Sequence, residues 1–366
     1  MAHDAYSDVE MKNRFIDATQ HKYIPIAVAG EGKSGKVWYA IQKNLIEHPV
    51  GATQLTALRA QVCAVKVYAP DNARKNMKSE SPFIKYVISR FNLENEIEYE
   101  SSSHEIAALL QLKRCSGSLS HRFPQLIEAL TQKEAGPGNS SWFSMGAIRG
   151  FQLSELTRFA HCLRNTPLPE ALVYHIFVQL MEALEFLHKA GISKSDIQEL
   201  NVMVDMANSD VSGLPNIMFI DFAGSKLGIT DWKCSTDRAY YYILMHRIAT
   251  KDHACLPGAL EAQGARLQAD ICRAHDKSWT EFVGALRKHK LNAVSDAEMA
   301  TDGDLRPGGR LFAMAKARRL CPDGFNHRVI ETLLNETLKR ADVKDVQFPS
   351  EEEVLEAIVL HCNERD

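Results

Sequence analysis

The chain has 366 residues, 45% apolar and 24% charged. This is the make-up of a globular protein, long enough for two domains or one two-lobed unit and able to bury its core without disulfides or structural metal. Its 43 Lys and Arg stand against 46 Asp and Glu, a formal charge of −3, which argues against a nucleic-acid binder working through bulk positive charge. Apolar runs such as Ile24-Pro25-Ile26-Ala27-Val28-Ala29 fall far short of the roughly 20 residues a membrane span needs, and the N-terminus lacks the basic patch and apolar core of a secretory signal. The expectation is a cytoplasmic or nuclear protein with neither nucleic-acid nor membrane partner. Eight scattered cysteines form no Cys-x-x-Cys pair, and the run from His104-Glu105 reaches Ala108 where a zinc motif needs histidine, so no zinc site is expected.

In chain order, residues 1–20 read as an irregular lead-in or a short helix. Tyr23 to Ala40 gives strand, glycine turn, strand, and Val62 to Tyr68 gives a buried strand rich in β-branched residues. Residues 41–61 and 69–103 are insertions of mixed character; the second holds the apolar run Phe83 to Ile88 and then an acidic stretch. Glu105 to Leu112 suits a helix face. Strands follow near Gln125–Leu130 and Trp142–Ala147, with a turn at Glu134 to Ser140 between them. Leu168 to Ala190 is a strong helix, with Val173, Ile176, Phe177, Leu180, Leu184 and Leu187 in one stripe and Gly191 at its stop. Later segments are mostly helical, broken by a loop around Asp302 to Arg310. A strand-rich part thus meets a helix-rich part near residue 147, an α+β layout with two lobes.

Gly30-Glu31-Gly32-Lys33-Ser34-Gly35-Lys36-Val37 is the first chemical signal, because backbone without side chains can bring N–H groups close to a phosphate. Three readings compete. A Walker loop needs Ser or Thr after Gly35-Lys36, where the chain has Val37; starting from Lys33-Ser34 requires glycine at position 27, where the chain has Ala27. A dinucleotide fingerprint needs strand–turn–helix, but Val37 to Ile41 looks like a second strand. The third reading is a Gly-x-Gly-x-x-Gly hairpin lying over the phosphates of ATP. Cys63-Ala64-Val65-Lys66 then sets a lysine on a buried strand, where it can neutralise phosphates if a carboxylate holds it. Glu105 is the best partner, with Glu96, Glu98 and Glu100 as rivals. Asp196 and Asn201 lie five apart in a polar loop, a carboxylate and an amide that can orient a hydroxyl and hold magnesium. The strand Asn216 to Ile220 delivers Asp221 as a second magnesium ligand.

In this order the motifs resemble the protein-kinase-like superfamily over residues 22–250. The resemblance implies a bilobal α+β fold. Residues 1–21 would be an N-terminal extension. Residues 22–146 would form a small β-rich lobe with a regulatory helix, and 147–366 a larger, mainly helical lobe with a helical C-terminal extension. It implies ATP and Mg²⁺ between the lobes, with Gly30, Gly32, Gly35 and Val37 over the phosphates and Ala64 at the nucleotide. Lys66 would meet the α and β phosphates and Glu105 would pair with Lys66. Asp196 would be the catalytic base, and Asn201 and Asp221 the metal ligands. Met145 would stand at the back of the adenine pocket, and Gly146, Ala147 and Ile148 along the hinge.

The pattern also departs from that family. Lys194 and Ser195 replace the usual His-Arg, Gln198 stands where a lysine is usual, and Ala223 takes the glycine position after Asp221-Phe222. Asp237 resembles the aspartate that anchors the central helix of the second lobe, yet only sixteen positions separate it from Asp221, and no Ala-Pro-Glu is present. Segments this short resemble the aminoglycoside and choline kinase relatives, which act on small alcohols but usually lack the full glycine loop. The expectation is an ATP- and Mg-dependent phosphotransferase acting on a Ser/Thr hydroxyl of a protein substrate. The alternatives are a small-alcohol kinase or a pseudokinase scaffold that works through partners. Residues 251–366 read as packed helices, with Lys316-Ala317-Arg318-Arg319 a solvated basic face.

Overall fold

The computed structural model describes residues 8–32, 35–46, 52–68, 102–115, 117, 119–131, 134, 140–250, 277–291, 302–320, 324–340 and 348–363. The run Phe83 to Ile88, the rival carboxylates Glu96, Glu98 and Glu100, and most of the turn before Ser140 lie outside these residues.

The lead-in is a helix, α1 (Asp8–Ala18). Strands β1 (Tyr23–Gly32) and β2 (Gly35–Gln42) pair as an antiparallel hairpin, with Gly32 opposite Gly35 at its end. Part of the first insertion folds as α2 (Ala52–Ala60), which leads into β3 (Cys63–Tyr68). After α3 (Ser102–Arg114) come β4 (Leu126–Leu130) and β5 (Trp142–Gly146). The five strands form one antiparallel sheet in the order β1-β2-β3-β5-β4. Gly35 is required by a close approach: a Cβ there would lie 2.1 Å from the Val67 carbonyl oxygen on β3.

Strand side chains alternate between faces, and each face of this sheet has its own cover. Trp38, Ala40, Cys63, Val65 and Trp142 pack with Phe15 of α1, whose ring lies 5.4 Å from that of Trp38. The opposite face, with Ile24, Ile26, Tyr39 and Ile41, packs against Leu58 of α2 and against Val354, Ala357 and Ile358.

The second lobe begins with β6 (Gly150–Gln152) and α4 (Leu153–Thr157). Its central helix α5 (Glu170–Lys189) starts after Pro169, and the stripe expected from the sequence is fully buried on it. Gly191 ends the helix at φ +76°, a left-handed conformation natural to glycine. Then come β7 (Ile192–Ser193), β8 (Val202–Asp205), β9 (Asn216–Phe219) and β10 (Lys226–Leu227), in a three-stranded sheet β6-β8-β9 and a two-stranded ribbon of β7 and β10. Helices α6 (Asp231–Thr250), α7 (Lys277–Leu291), α8 (Arg310–Arg318) and α9 (Gly324–Lys339) follow. Aromatic edges lock α5 to α7: the Phe177 and Phe282 rings are 4.9 Å apart and those of Tyr174 and Trp279 5.3 Å. No helix among the described residues is long and apolar enough to cross a membrane.

Two features differ from the sequence expectation. The last helix, α10 (Glu351–Asn363), lies on the first lobe, against β1 and α2. Its i, i+3, i+4 stripe of Val354, Ala357 and Ile358 shares the apolar sheet face with Leu58 of α2. The basic cluster is also not all solvated: Lys316 and Arg318 are exposed, but Arg319 is buried.

His175 on α5 is fully buried, and its Nε2–H donates to the Pro215 carbonyl at 2.7 Å. Burial, only partly offset by that hydrogen bond, holds its pKa down to about 4. The unfolded chain takes up a proton below about pH 6.5, while the folded chain stays neutral at this site until about pH 4. Stability is therefore lost as pH falls through that window. Urea titrations of wild type and His175→Gln should diverge between pH 7 and pH 4, with wild type losing about 3 kcal/mol relative to the variant.

Candidate active site

Strands β1, β2, β3, β5, β6 and β8, helix α3 and the turns holding Asn201 and Asp221 deliver side chains to one cleft between the lobes. Its upper wall is Ala29, Gly30, Val37, Tyr39, Ala64 and Lys66; its lower wall is Leu200, Asn201, Met203, Ile220 and Asp221. Glu105 and Met145 also line it, and Gly146 and Ile148 border the side where the lobes join.

The expected lysine–carboxylate pair is formed. Lys66 Nζ donates to Glu105 Oε2 at 2.7 Å and to Asp221 Oδ1 at 3.2 Å, with Lys66 and Glu105 both buried. Burial alone would lower the Lys66 pKa, but the charges of Glu105 and Asp221 outweigh it and the net shift is upward. Glu105 does more than hold the lysine. The Tyr68 hydroxyl donates to Oε2, and the Phe222 N–H donates to Oε1 at 3.0 Å. Sequence reasoning missed Tyr68. Its signal was its place two residues beyond Lys66, on the same face of β3.

Asp196 is exposed and stands beside the cleft, joined to the lining residue Asn201. Asn201 Nδ2 donates to Asp196 Oδ2 at 2.7 Å and to the Asp196 carbonyl at 3.2 Å, and Gln198 Nε2 donates to the same Oδ2 at 3.1 Å. Gln198 thus steadies the carboxylate from the position where a lysine is usual. Asp221 Oδ1 is shared by Lys66 and the Ala223 N–H at 3.2 Å. Burial pushes the Asp221 carboxyl up, but Lys66 and Lys194 outweigh it and hold it below its usual range.

The turn carrying Asp196 is pinned from below. Asp237 on α6 is buried and accepts the N–H groups of Lys194 and Ser195, each at 2.8 Å, and His188 Nε2 at 3.0 Å. Ser195 and Asp221 both adopt left-handed φ, +62° and +55°. Such conformations persist in non-glycine residues only where surrounding bonds enforce them. Lys194 supplies part of that enforcement. Its fully buried ammonium donates to the carbonyls of Asp221 and Asp196 and lies 5.2 Å from the Phe222 ring centre. Burial drives its pKa down, against the pull of Asp196, Asp221, Glu105 and Asp237. The departure from histidine at this position therefore keeps a donor that ties the two turns together.

Of the expected nucleotide contacts, Gly30, Gly35, Val37, Ala64, Lys66 and Met145 line the cleft. Ala147 does not: its side chain packs instead into the cluster beneath α10. Gly32 faces Gly35 across the hairpin end. The glycine run joins two antiparallel strands, not a strand and a helix, and Lys36 reaches Glu31 at 3.1 Å and Met11 Sδ at 2.8 Å. These contacts remove the Walker and dinucleotide readings. The lining residues Tyr39, Leu200, Met203 and Ile220 went unread, because apolar and aromatic positions in strands and turns carry no chemical label of their own, and Gln152 went unread because a lone amide belongs to no motif.

A five-stranded antiparallel sheet followed by a helical lobe, with the cleft between them, is a bilobal kinase-like fold. Among solved structures the chain is similar to the BubR1 kinase domain, at 12% identity and a TM-score of 0.49, over 86% of this chain and 84% of that one. No family model matches the chain.

Glu105→Ala would leave the Tyr68 hydroxyl and the Phe222 N–H without their acceptor and Lys66 without its closest counter-charge. Loss of one partner from a buried pair predicts destabilisation of about 3–5 kcal/mol by urea denaturation, with Glu105→Gln losing less.

Proposed function

We propose that the protein is an ATP- and Mg-dependent phosphotransferase that moves the γ-phosphate to an alcohol oxygen. The reading rests chiefly on the Glu105 network, which sets Lys66 and Asp221 against each other in a cleft whose lining residue Asn201 is hydrogen-bonded to Asp196. In this reading Val37, Ala64, Leu200 and Met203, which line the cleft, would hold the adenine ring, and Lys66 would meet the α and β phosphates.

The donor set suits magnesium. Both amide hydrogens of Asn201 are used on Asp196, which leaves its Oδ1 as an acceptor, and Asp221 Oδ2 has no partner among the described residues. Two hard oxygens from the protein, completed by phosphate and water, are a usual magnesium environment. Bound there, the ion would neutralise charge on the phosphate oxygens. Asp196 would orient the acceptor hydroxyl and take its proton as the new oxygen–phosphorus bond forms and the bond to the β-phosphate oxygen breaks, giving a phosphate ester and ADP.

A Ser or Thr of a protein is the first acceptor, on the strength of the glycine hairpin. One observation favours a small alcohol instead. Helix α6 begins at Asp231, and within the short stretch between Asp221 and that helix Lys226 and Leu227 are already paired to β7. That leaves little chain there to seat an extended peptide.

Transfer of labelled γ-phosphate from Mg-ATP, followed with ADP release, tests the reading on wild type and Asp196→Asn together. Wild type should turn over and the variant should lose roughly 10²–10⁴-fold in rate. Label on an added protein identifies a protein acceptor, and ADP formed only when small alcohols are supplied identifies the other class. No turnover with either class of acceptor overturns the reading and leaves a scaffold that works through partners.

A further inference from the structure

The face of the sheet that roofs the cleft continues past it. Ala29, Val37 and Ala64 stand over the cleft, while Ile24, Ile26 and Ile41, farther along the same strands, lie under α10. Tyr39 belongs to both regions: it lines the cleft and packs edge-on against Phe348, with ring centres 5.7 Å apart and planes at 70°. Phe348 also touches the segment that joins the lobes. The Arg149 guanidinium lies 4.6 Å from its ring centre, next in sequence to Ile148, which lines the cleft. The Arg149 carbonyl in turn accepts the Met206 N–H at 2.8 Å, anchoring that segment to the second lobe.

The segment leading into α10 is fastened to α2 rather than draped over it. Arg59 Nε donates to the Pro349 carbonyl at 2.7 Å, and its guanidinium lies 5.4 Å from the Phe348 ring centre. The Thr56 hydroxyl donates to Glu351 Oε1 at 2.9 Å. One aromatic side chain is therefore held against the roof of the cleft in one lobe and against the first residues of the other.

We propose that residues 348–363 are a built-in part of the nucleotide site, with Phe348 a positioning residue that fixes Tyr39 and the joining segment around the adenine end. The proposal rests on the nucleotide reading above and adds a determinant of affinity that touches no phosphate and no acceptor. A site held in its binding geometry beforehand loses less on ordering when ligand arrives, so the effect falls on binding more than on turnover.

Calorimetric titration of the full chain with Mg-ATP, without acceptor and well below each variant's unfolding temperature, tests this. Phe348→Ala should raise Kd roughly tenfold, because the roof is no longer preorganised. Phe348→Tyr, which keeps the ring, should bind like wild type. Val359→Ala, on the exposed face of α10, should also bind like wild type. If Phe348→Ala does not fold, Arg59→Met releases the same segment from α2 and should weaken binding in the same direction. A lowered unfolding temperature with unchanged Kd would overturn the proposal and reduce the segment to a structural cover. Absence of ATP binding by wild type would instead overturn the nucleotide reading itself, and this proposal with it.

Discussion

The Glu105 carboxylate is the contact on which the site depends. It is buried, so its charge is tolerable only with full pairing. The pairing comes from three places: the Lys66 ammonium and Tyr68 hydroxyl of β3, and the backbone N–H of Phe222 after β9. Helix α3, the first-lobe sheet and the Asp221 turn of the second lobe are therefore fixed to one another through two oxygen atoms. The 3.2 Å between Lys66 and Asp221 follows from that arrangement.

A second carboxylate performs the matching task below the cleft. Asp237 holds two consecutive N–H groups and so sets the turn from Lys194 to Asp196. Lys194 then reaches across to the Asp221 carbonyl, which couples the turn bearing Asp196 to the turn bearing Asp221. A buried ammonium is a costly choice for this bond. Two carbonyl oxygens, the Phe222 ring and four nearby carboxylates offset part of its desolvation, and burial still holds its pKa down.

The charged parts of the site were legible in the sequence because their spacing is chemical: Lys66 on its strand, Asp196 and Asn201 five apart, Asp221 at a strand end. Glu105 was readable only as the best of four carboxylates, since a long insertion precedes it. Tyr68, Tyr39 and Leu200 were not readable, because apolar and aromatic residues at strand and turn positions look alike until the strands are paired. Ala147 was assigned to the nucleotide from its place in the joining segment, but alternation along that extended stretch gives the cleft to Gly146 and Ile148. The position of α10 was illegible for a different reason. Amphipathic periodicity shows that a helix has an apolar face and says nothing of which of several apolar surfaces will receive it.

The packing of α10 also bears on the order in which the molecule can be completed during synthesis. Arg59 and Pro349 are 290 residues apart, and the sheet face with Ile24, Ile26 and Ile41 is closed in part by residues made only after the second lobe. Domains usually finish folding from the N-terminus as they emerge. Here the first lobe emerges first, with α2 over part of this face and the part under α10 still open while the second lobe is being made. Closure of that part of the sheet by Val354, Ala357 and Ile358 therefore waits on synthesis of the second lobe.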